Sequence, residues 1–309
     1  MPMNAVPQRV TVIGGVLVVE YVFSYPGIGI FTARTADGRE YVSGVIDGAT
    51  AWQAGLAVGD EILAVDGKPF EAVASFRGRD AVTMTVRSNA GGPAADLSVA
   101  VEQIKPNALF LRGLESSVRI ITAPGGRKIG YVHVWSYANP AYQQSMERIL
   151  ADGPLKDADA LVWDLRDGWG GAQIEYLDVF NRNAPSIRTA GRDRRFVTRT
   201  ARWRKPVAML INAGARSGKE ILAYGFKKYG LGEVIGTGTA KDVLAASANF
   251  MSDGSLLEIA VNDVLVDDEK LEGVGVSPTI EVPFERLYAA GRDPQLDRAV
   301  DVLSRARIN

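Results

Sequence analysis

The 309-residue chain has no cysteine and a single histidine, His133. Without thiols there is no disulfide framework, no cysteine nucleophile and no zinc-thiolate site, and one imidazole cannot build a multi-histidine metal cluster. Any serine-histidine-acid triad has to run through His133, and neither a metal nor a cofactor is expected. An excess of charge of one sign is missing too: 35 Lys+Arg against 36 Asp+Glu leave a formal charge of −1. No global field therefore draws the chain to nucleic acid or to an anionic membrane. Nor does any run approach the ~18 apolar residues of a membrane span; the nearest, 10–19, is broken by Thr11, Gly14 and Gly15. Met1 to Pro7 carry none of the basic end, apolar run and cleavage site of a secretory signal.

What remains is an ordinary globular composition, 47% hydrophobic and 23% charged, with glycine high at 33 residues. That glycine surplus points to many tight turns or close backbone approaches. The length suits about two domains and is enough to bury a sizeable core without staples. After an N-terminal segment, 1–15, residues 16–105 read as short strands at 16–22, 29–34, 40–46, 60–65 and 82–87. Asp37-Gly38 and Asp66-Gly67 supply hairpin-type turns, and helical patches fall at 51–54 and 69–76.

Beyond Pro106-Asn107 the pattern over 106–309 changes to strands alternating with longer amphipathic helices. Strands are expected at 129–137, 160–164, 207–212 and 233–237, and helices at 140–150, 172–181, 217–229 and 294–305, with a hairpin over 256–266 around Asn262-Asp263. The fold class is mixed α/β: a small β-rich domain followed by a layered α/β domain on a largely buried sheet.

Three stretches carry chemistry. Residues 43–67 run strand, short helix ending at Ala54-Gly55-Leu56, Gly59-Asp60 turn, strand, Asp66-Gly67 turn. This order resembles the core of a PDZ domain. Upstream, Pro26-Gly27-Ile28-Gly29-Ile30 is similar to that family's carboxylate-binding loop, in which successive amides form a nest for a peptide C-terminus and the next strand pairs with the peptide. Taken by itself, Gly27-Ile28-Gly29 reads as an ordinary β-turn.

The second stretch, 161–171, is a buried strand entering a charged turn with Gly170-Gly171 at the strand's carboxyl end, where oxyanions are commonly held. In the third, 212–223, an apolar strand and a small-residue turn precede a helix, placing Ser217 at the helix N-terminus. Locally, Ser217 and Glu220 also match a capping box, in which the serine only caps.

The order of the three stretches resembles the tail-specific, or C-terminal processing, peptidases, serine proteases with a PDZ domain beside a crotonase-like catalytic domain. The resemblance runs from about Gly27 to Val282 and includes Ile129-Gly130-Tyr131-Val132, Glu233 to Thr237 and Gly273 to Pro278. It implies Ser217 as nucleophile, with oxyanion donors at Gly218 and at Gly170 or Gly171. It also implies polypeptide substrates docked at Gly27, Ile28, Gly29 and Ile30, and a cell-envelope location.

Such peptidases activate the serine with a lysine in a T-F-G-K-G segment. Here Thr239-Ala240-Lys241-Asp242 brings Lys241 one residue short of that spacing. A lysine base must be neutral, so burial would have to lower its pKa from ~10.4. His133 needs a smaller adjustment and stays a rival base; Lys219, two positions along the helix from Ser217, is expected to face away from it. The basic stretch from Arg188 to Lys205 reads as a solvated loop or hairpin bordering the substrate cleft. The expectation is a serine endopeptidase, with a catalytically inactive peptide-binding protein on the same scaffold as the alternative.

Overall fold

A computed structural model describes residues 5–13, 16–185, 187–190, 192, 196–199, 202–250 and 256–307. The chain forms two compact units, one of Met1–Arg112, Ala245–Asn262 and Glu285–Arg292, the other of Gly113–Leu244, Asp263–Phe284 and Asp293–Asn309. The fold is mixed α/β.

The first unit opens on a hairpin of β1 (Ala5–Ile13) and β2 (Val16–Phe23). It continues through β3 (Tyr25–Gly27), β4 (Ile30–Arg34), β5 (Glu40–Val45), α1 (Thr50–Gln53), β6 (Glu61–Val65), β7 (Ala81–Arg87), β8 (Ala95–Ala100) and β9 (Glu102–Ile104). Strands β4 to β8 make a five-stranded antiparallel sheet in chain order, with β4 on its edge, and β3 pairs with β9. On β7, Val82, Met84 and Val86 alternate into the core with Val42, Ile62, Val65, Phe76 and Val99, the period-2 pattern of a one-sided sheet. Pro106-Asn107, read from sequence as a break, instead opens α2 (Pro106–Ser117). Proline lacks an amide that the first helical turn would leave unpaired in any case, so it fits there.

The second unit holds β10 (Arg119–Thr122), β11 (Lys128–His133), α3 (Pro140–Ala151), β12 (Ala160–Asp164), the hairpin β13 (Ile187–Ala190) and β14 (Phe196–Arg199), β15 (Val207–Ile211), α4 (Gly218–Lys228) and β16 (Glu233–Gly236). The chain then forms β17 (Ala245–Phe250) and β18 (Leu256–Asn262), which belong to the first unit, followed by β19 (Leu265–Val266), β20 (Glu269–Lys270), β21 (Ile280–Glu281) and α5 (Pro294–Arg305). A six-stranded sheet has the order β10-β11-β12-β15-β16-β21, parallel except for the edge strand β10.

Every residue of β12 and β15 is buried, as parallel strands covered on both faces require. Ala160, Val162, Ala208, Leu210 and Ile235 face Ala299 and Leu303 of α5. On the other face Trp163 packs its ring 4.9 Å from Phe180 and 6.0 Å from Phe226 of α4.

The expected helical patch at 69–76 narrows to a 3-10 turn, Ala74–Phe76, and three further expected elements differ. The 172–181 helix is a 3-10 helix, Ile174–Phe180, because Gly171 is left-handed and no side chain caps the element. The 129–137 strand ends at His133. The 256–266 hairpin is two separate pairings, β18 with β17 and β19 with β20, the latter turning through left-handed Asp267 and Asp268. Within the basic stretch, Arg194 and Arg195 lie outside the described residues. No helix among the described residues is long and apolar enough to cross a membrane.

Candidate active site

The site grows from the carboxyl ends of β12 and β15. Both α3 and α5 begin with proline behind a capping side chain: Asn139 accepts from the Ala141 amide at 2.9 Å and Asp293 from Leu296 at 3.0 Å. Such caps stabilise a helix by about 1 kcal/mol. Ser217, in the same position before α4, makes no side-chain cap and has φ 55° and ψ −128°. A serine is strained there, by about 1–3 kcal/mol, as at the sharp strand-to-helix turn that presents a nucleophile.

Glu220 does not reach back to complete a capping box. Its carboxylate accepts instead from the amides of Lys241 at 2.7 Å and Asp242 at 3.2 Å. Burial pushes its pKa up, and the bonds from those two amides and Thr239 limit the rise. The Ser217 amide donates to Asp242 O and the Ala240 amide to Ala215 O, each at 2.9 Å, so 240–242 runs alongside 215–217.

The turn after β12 approaches from the other side. Asp167, Gly168 and Gly171 are left-handed, with φ of 54°, 73° and 74°, and a Cβ on Gly168 would overlap Trp135 O. The Trp169 amide donates to Trp135 O at 2.8 Å, and Gly170 O accepts from the Tyr137 amide at 3.0 Å. A Cβ on Gly170 would lie 2.5 Å from Ser217 Cβ and 3.2 Å from its Oγ, and one on Gly218 would overlap the Ala172 amide. The two glycine segments therefore meet at Ser217, closer than any side chain permits. Among the described residues, none accepts from the amides of Gly170, Gly171 or Gly218.

Charge is buried beneath this turn. On the α5 side of the sheet Asp164 binds Arg166 at 2.6 Å and the Tyr131 hydroxyl at 2.8 Å, and Arg166 continues to Asp293 at 2.7 Å and Gln295 at 2.9 Å. Burial opposes the Asp164 charge, but the Arg166 guanidinium outweighs it and holds the carboxyl below the usual range. His133 lies in register with Asp164 on the neighbouring strand. Its Nε2 is 2.9 Å from Arg166 O, a pure acceptor, so Nε2 carries the proton. The ring also stacks 3.8 Å from Trp135.

Lys219 is fully buried. Its Nζ donates to Asp167 O at 2.6 Å and Leu165 O at 3.3 Å. Burial lowers its pKa to about 7, against the pull of Asp167 and Asp164.

Ser217, Gly218, Gly170, Gly171 and the Lys241 backbone thus share one place. The Lys241 side chain is exposed, and a Cβ on Gly275 would come 2.9 Å from its Cγ. His133 is engaged with Arg166 O and Trp135. Sequence reasoning treated Lys219 only as a side chain facing away from Ser217 and missed its burial. The signal existed, since positions 219, 222, 223 and 226 form one i, i+3, i+4, i+7 stripe with Leu222, Ala223 and Phe226.

In the first unit, the carbonyl of Ile28 accepts from the Ala51 amide at 3.0 Å and the Thr50 hydroxyl at 3.3 Å, and that of Gly29 from the Ile46 amide at 3.0 Å. Gly29 is left-handed, φ 81°, and any Cβ there would overlap that of Ala49. The amides of Ile28 and Gly29 have no acceptor among the described residues, and Ile30 opens the edge strand β4.

Residues 128–282, half of the chain, match peptidase family S41, and residues 41–93 match the PDZ domain. The chain belongs to peptidase family S41. It is 25% identical to the chloroplastic carboxyl-terminal-processing peptidase 3 of Arabidopsis thaliana, over 82% of this chain and 53% of that protein. It is 24% identical to the carboxy-terminal processing protease CtpB of Bacillus subtilis, over 87% and 57%. The chain thus spans about half the length of these curated relatives. A crystal structure of the tricorn protease shares the fold, with a TM-score of 0.52 at 20% identity over 91% of this chain and 29% of that one.

Proposed function

We propose that this chain is a serine endopeptidase that docks an unstructured polypeptide on its PDZ unit and cleaves it by acyl transfer through Ser217. The observation that carries this reading is Ser217 itself: strained, uncapped and pressed against Gly170, beside amides of Gly170, Gly171 and Gly218 that have no acceptor among the described residues. A serine that only capped would accept a helix amide and need no such backbone.

In this reading the Ser217 hydroxyl attacks the scissile carbonyl while Lys241 takes its proton. The Gly218 amide and one from Gly170 or Gly171 hold the tetrahedral oxyanion. Collapse expels the amine, which leaves with the proton held by Lys241, and water then hydrolyses the acyl-enzyme. Separately, the Ile28 and Gly29 amides receive a C-terminal carboxylate and β4 offers its edge to the peptide. His133, hydrogen-bonded to Arg166 O, keeps the strand end in place.

The test is labelling by a fluorophosphonate probe together with degradation of an unfolded protein. Wild type should label and degrade, and Ser217→Ala should do neither; equal labelling of both ends the protease reading. The exposure of Lys241 favours a second reading, a peptide-binding protein without turnover, which predicts binding of C-terminal peptides and no Ser217-dependent hydrolysis.

A further inference from the structure

We propose that Lys219 is a positioning residue: its buried ammonium clamps the carbonyls of Leu165 and Asp167 and so fixes the 168–171 turn against Ser217. The proposal rests on the reading of that turn as an oxyanion donor. Lys219 is the second residue of α4, two positions after Ser217, so one helix end carries both the serine and the clamp. A lysine with no exposed surface is costly to bury, yet this one forms no ion pair among the described residues. Its recorded partners are the two carbonyls.

Those carbonyls belong to the backbone that then passes through left-handed Asp167, Gly168 and Gly171. Asn212 secures the turn elsewhere, accepting from the Asp167 amide and donating to its carboxylate, both at 3.1 Å. Without Lys219 the carbonyls of Leu165 and Asp167 lose their donor at the start of the turn whose Gly170 meets Ser217.

The charged groups that act on Lys219 are Asp167 and Asp164, which favour its ammonium, and Arg216, which disfavours it together with burial. The lysine therefore titrates near neutrality, and its charged form both grips the carbonyls more strongly and adds positive potential under the oxyanion.

The experiment compares the wild type with Lys219→Met and Lys219→Arg. Hydrogen exchange should show the amides of Asp167 and Trp169, both bonded in the native chain, opening at least ~10-fold faster in Lys219→Met. Unchanged exchange overturns the clamp. The second-order rate of fluorophosphonate labelling should fall roughly 10- to 100-fold in Lys219→Met at pH 6.5, less than for direct loss of an oxyanion donor. Relative to Lys219→Arg, whose charge is permanent, the wild-type rate should fall off as pH rises through about 7. A loss of the same factor at every pH in both variants marks a purely structural side chain and overturns the proposal. Should Lys219→Met not fold, the arginine variant carries the pH test. If wild type itself never labels, the protease reading falls, while the exchange measurement still decides whether Lys219 holds the turn.

Discussion

In the 27–30 loop the carbonyls of Ile28 and Gly29 are held by main-chain amides and one threonine hydroxyl, whereas in the 165–171 turn the carbonyls of Leu165 and Asp167 are held by a buried ammonium. Both segments turn the backbone so that amides are left without acceptors among the described residues. The first does so with neutral groups anchored in the elements that follow it directly in sequence. The second draws its anchors from β11, β15, α4 and α5, and several of them are charged. A neutral loop keeps its shape over a wide pH range, while a loop built on buried charge inherits the titration of its anchors.

Four perturbations separate the two. The largest effect is expected from Asp164→Asn, which leaves the buried Arg166 short of a partner and should cost about 3 kcal/mol, read by thermal or denaturant unfolding. The folded Asp164 pKa lies below the unfolded value near 3.9. Its contribution is therefore present above about pH 4 and lost as pH falls through the folded value, and melts between pH 2 and 6 should show an acid loss that Asp164→Asn lacks.

Next comes Gly170→Ala, whose methyl would meet the Ser217 side chain. Labelling should fall ~100- to 1,000-fold, the scale of a lost oxyanion donor, with C-terminal peptide binding unchanged. Gly29→Ala should do the reverse. The left-handed φ and the overlap with Ala49 disfavour it by about 1–3 kcal/mol, peptide affinity should drop about tenfold, and Ser217 labelling should persist.

The last perturbation concerns the Lys219 titration. Folded Lys219 titrates at about 7 and an unfolded lysine near 10.4, so between those values the unfolded chain binds more protons. Stability should therefore rise with pH across that window, and the rise should be missing in Lys219→Met.

The difference between the loops also explains what could be read from the amino-acid order. Helix α5 is legible to the residue because Asp293-Pro294 starts it and the apolar stripe carries it to Arg305. The PDZ elements are legible because their turns and strands lie close together in sequence. Ser217 is harder: Ser217-x-x-Glu220 satisfies a local rule, and only the tertiary structure shows Glu220 spent on the amides of Lys241 and Asp242. The spacing of Lys219 from Ser217 says only that it faces away, and its burial is read from its place in one stripe with Leu222, Ala223 and Phe226. The 256–266 segment misleads for a related reason, since Asn262-Asp263 looks like a turn while β18 finds its partner upstream in β17. Long-range pairing leaves no local mark.

Arg166 is gripped by Asp293 and Gln295 at the start of the last helix. A nascent chain that has already delivered β12, β15 and Ser217 from the ribosome still lacks that grip until residues 293–295 have followed. The backbone leading into the 168–171 turn therefore gains this anchor only after residues 293–295 have been made.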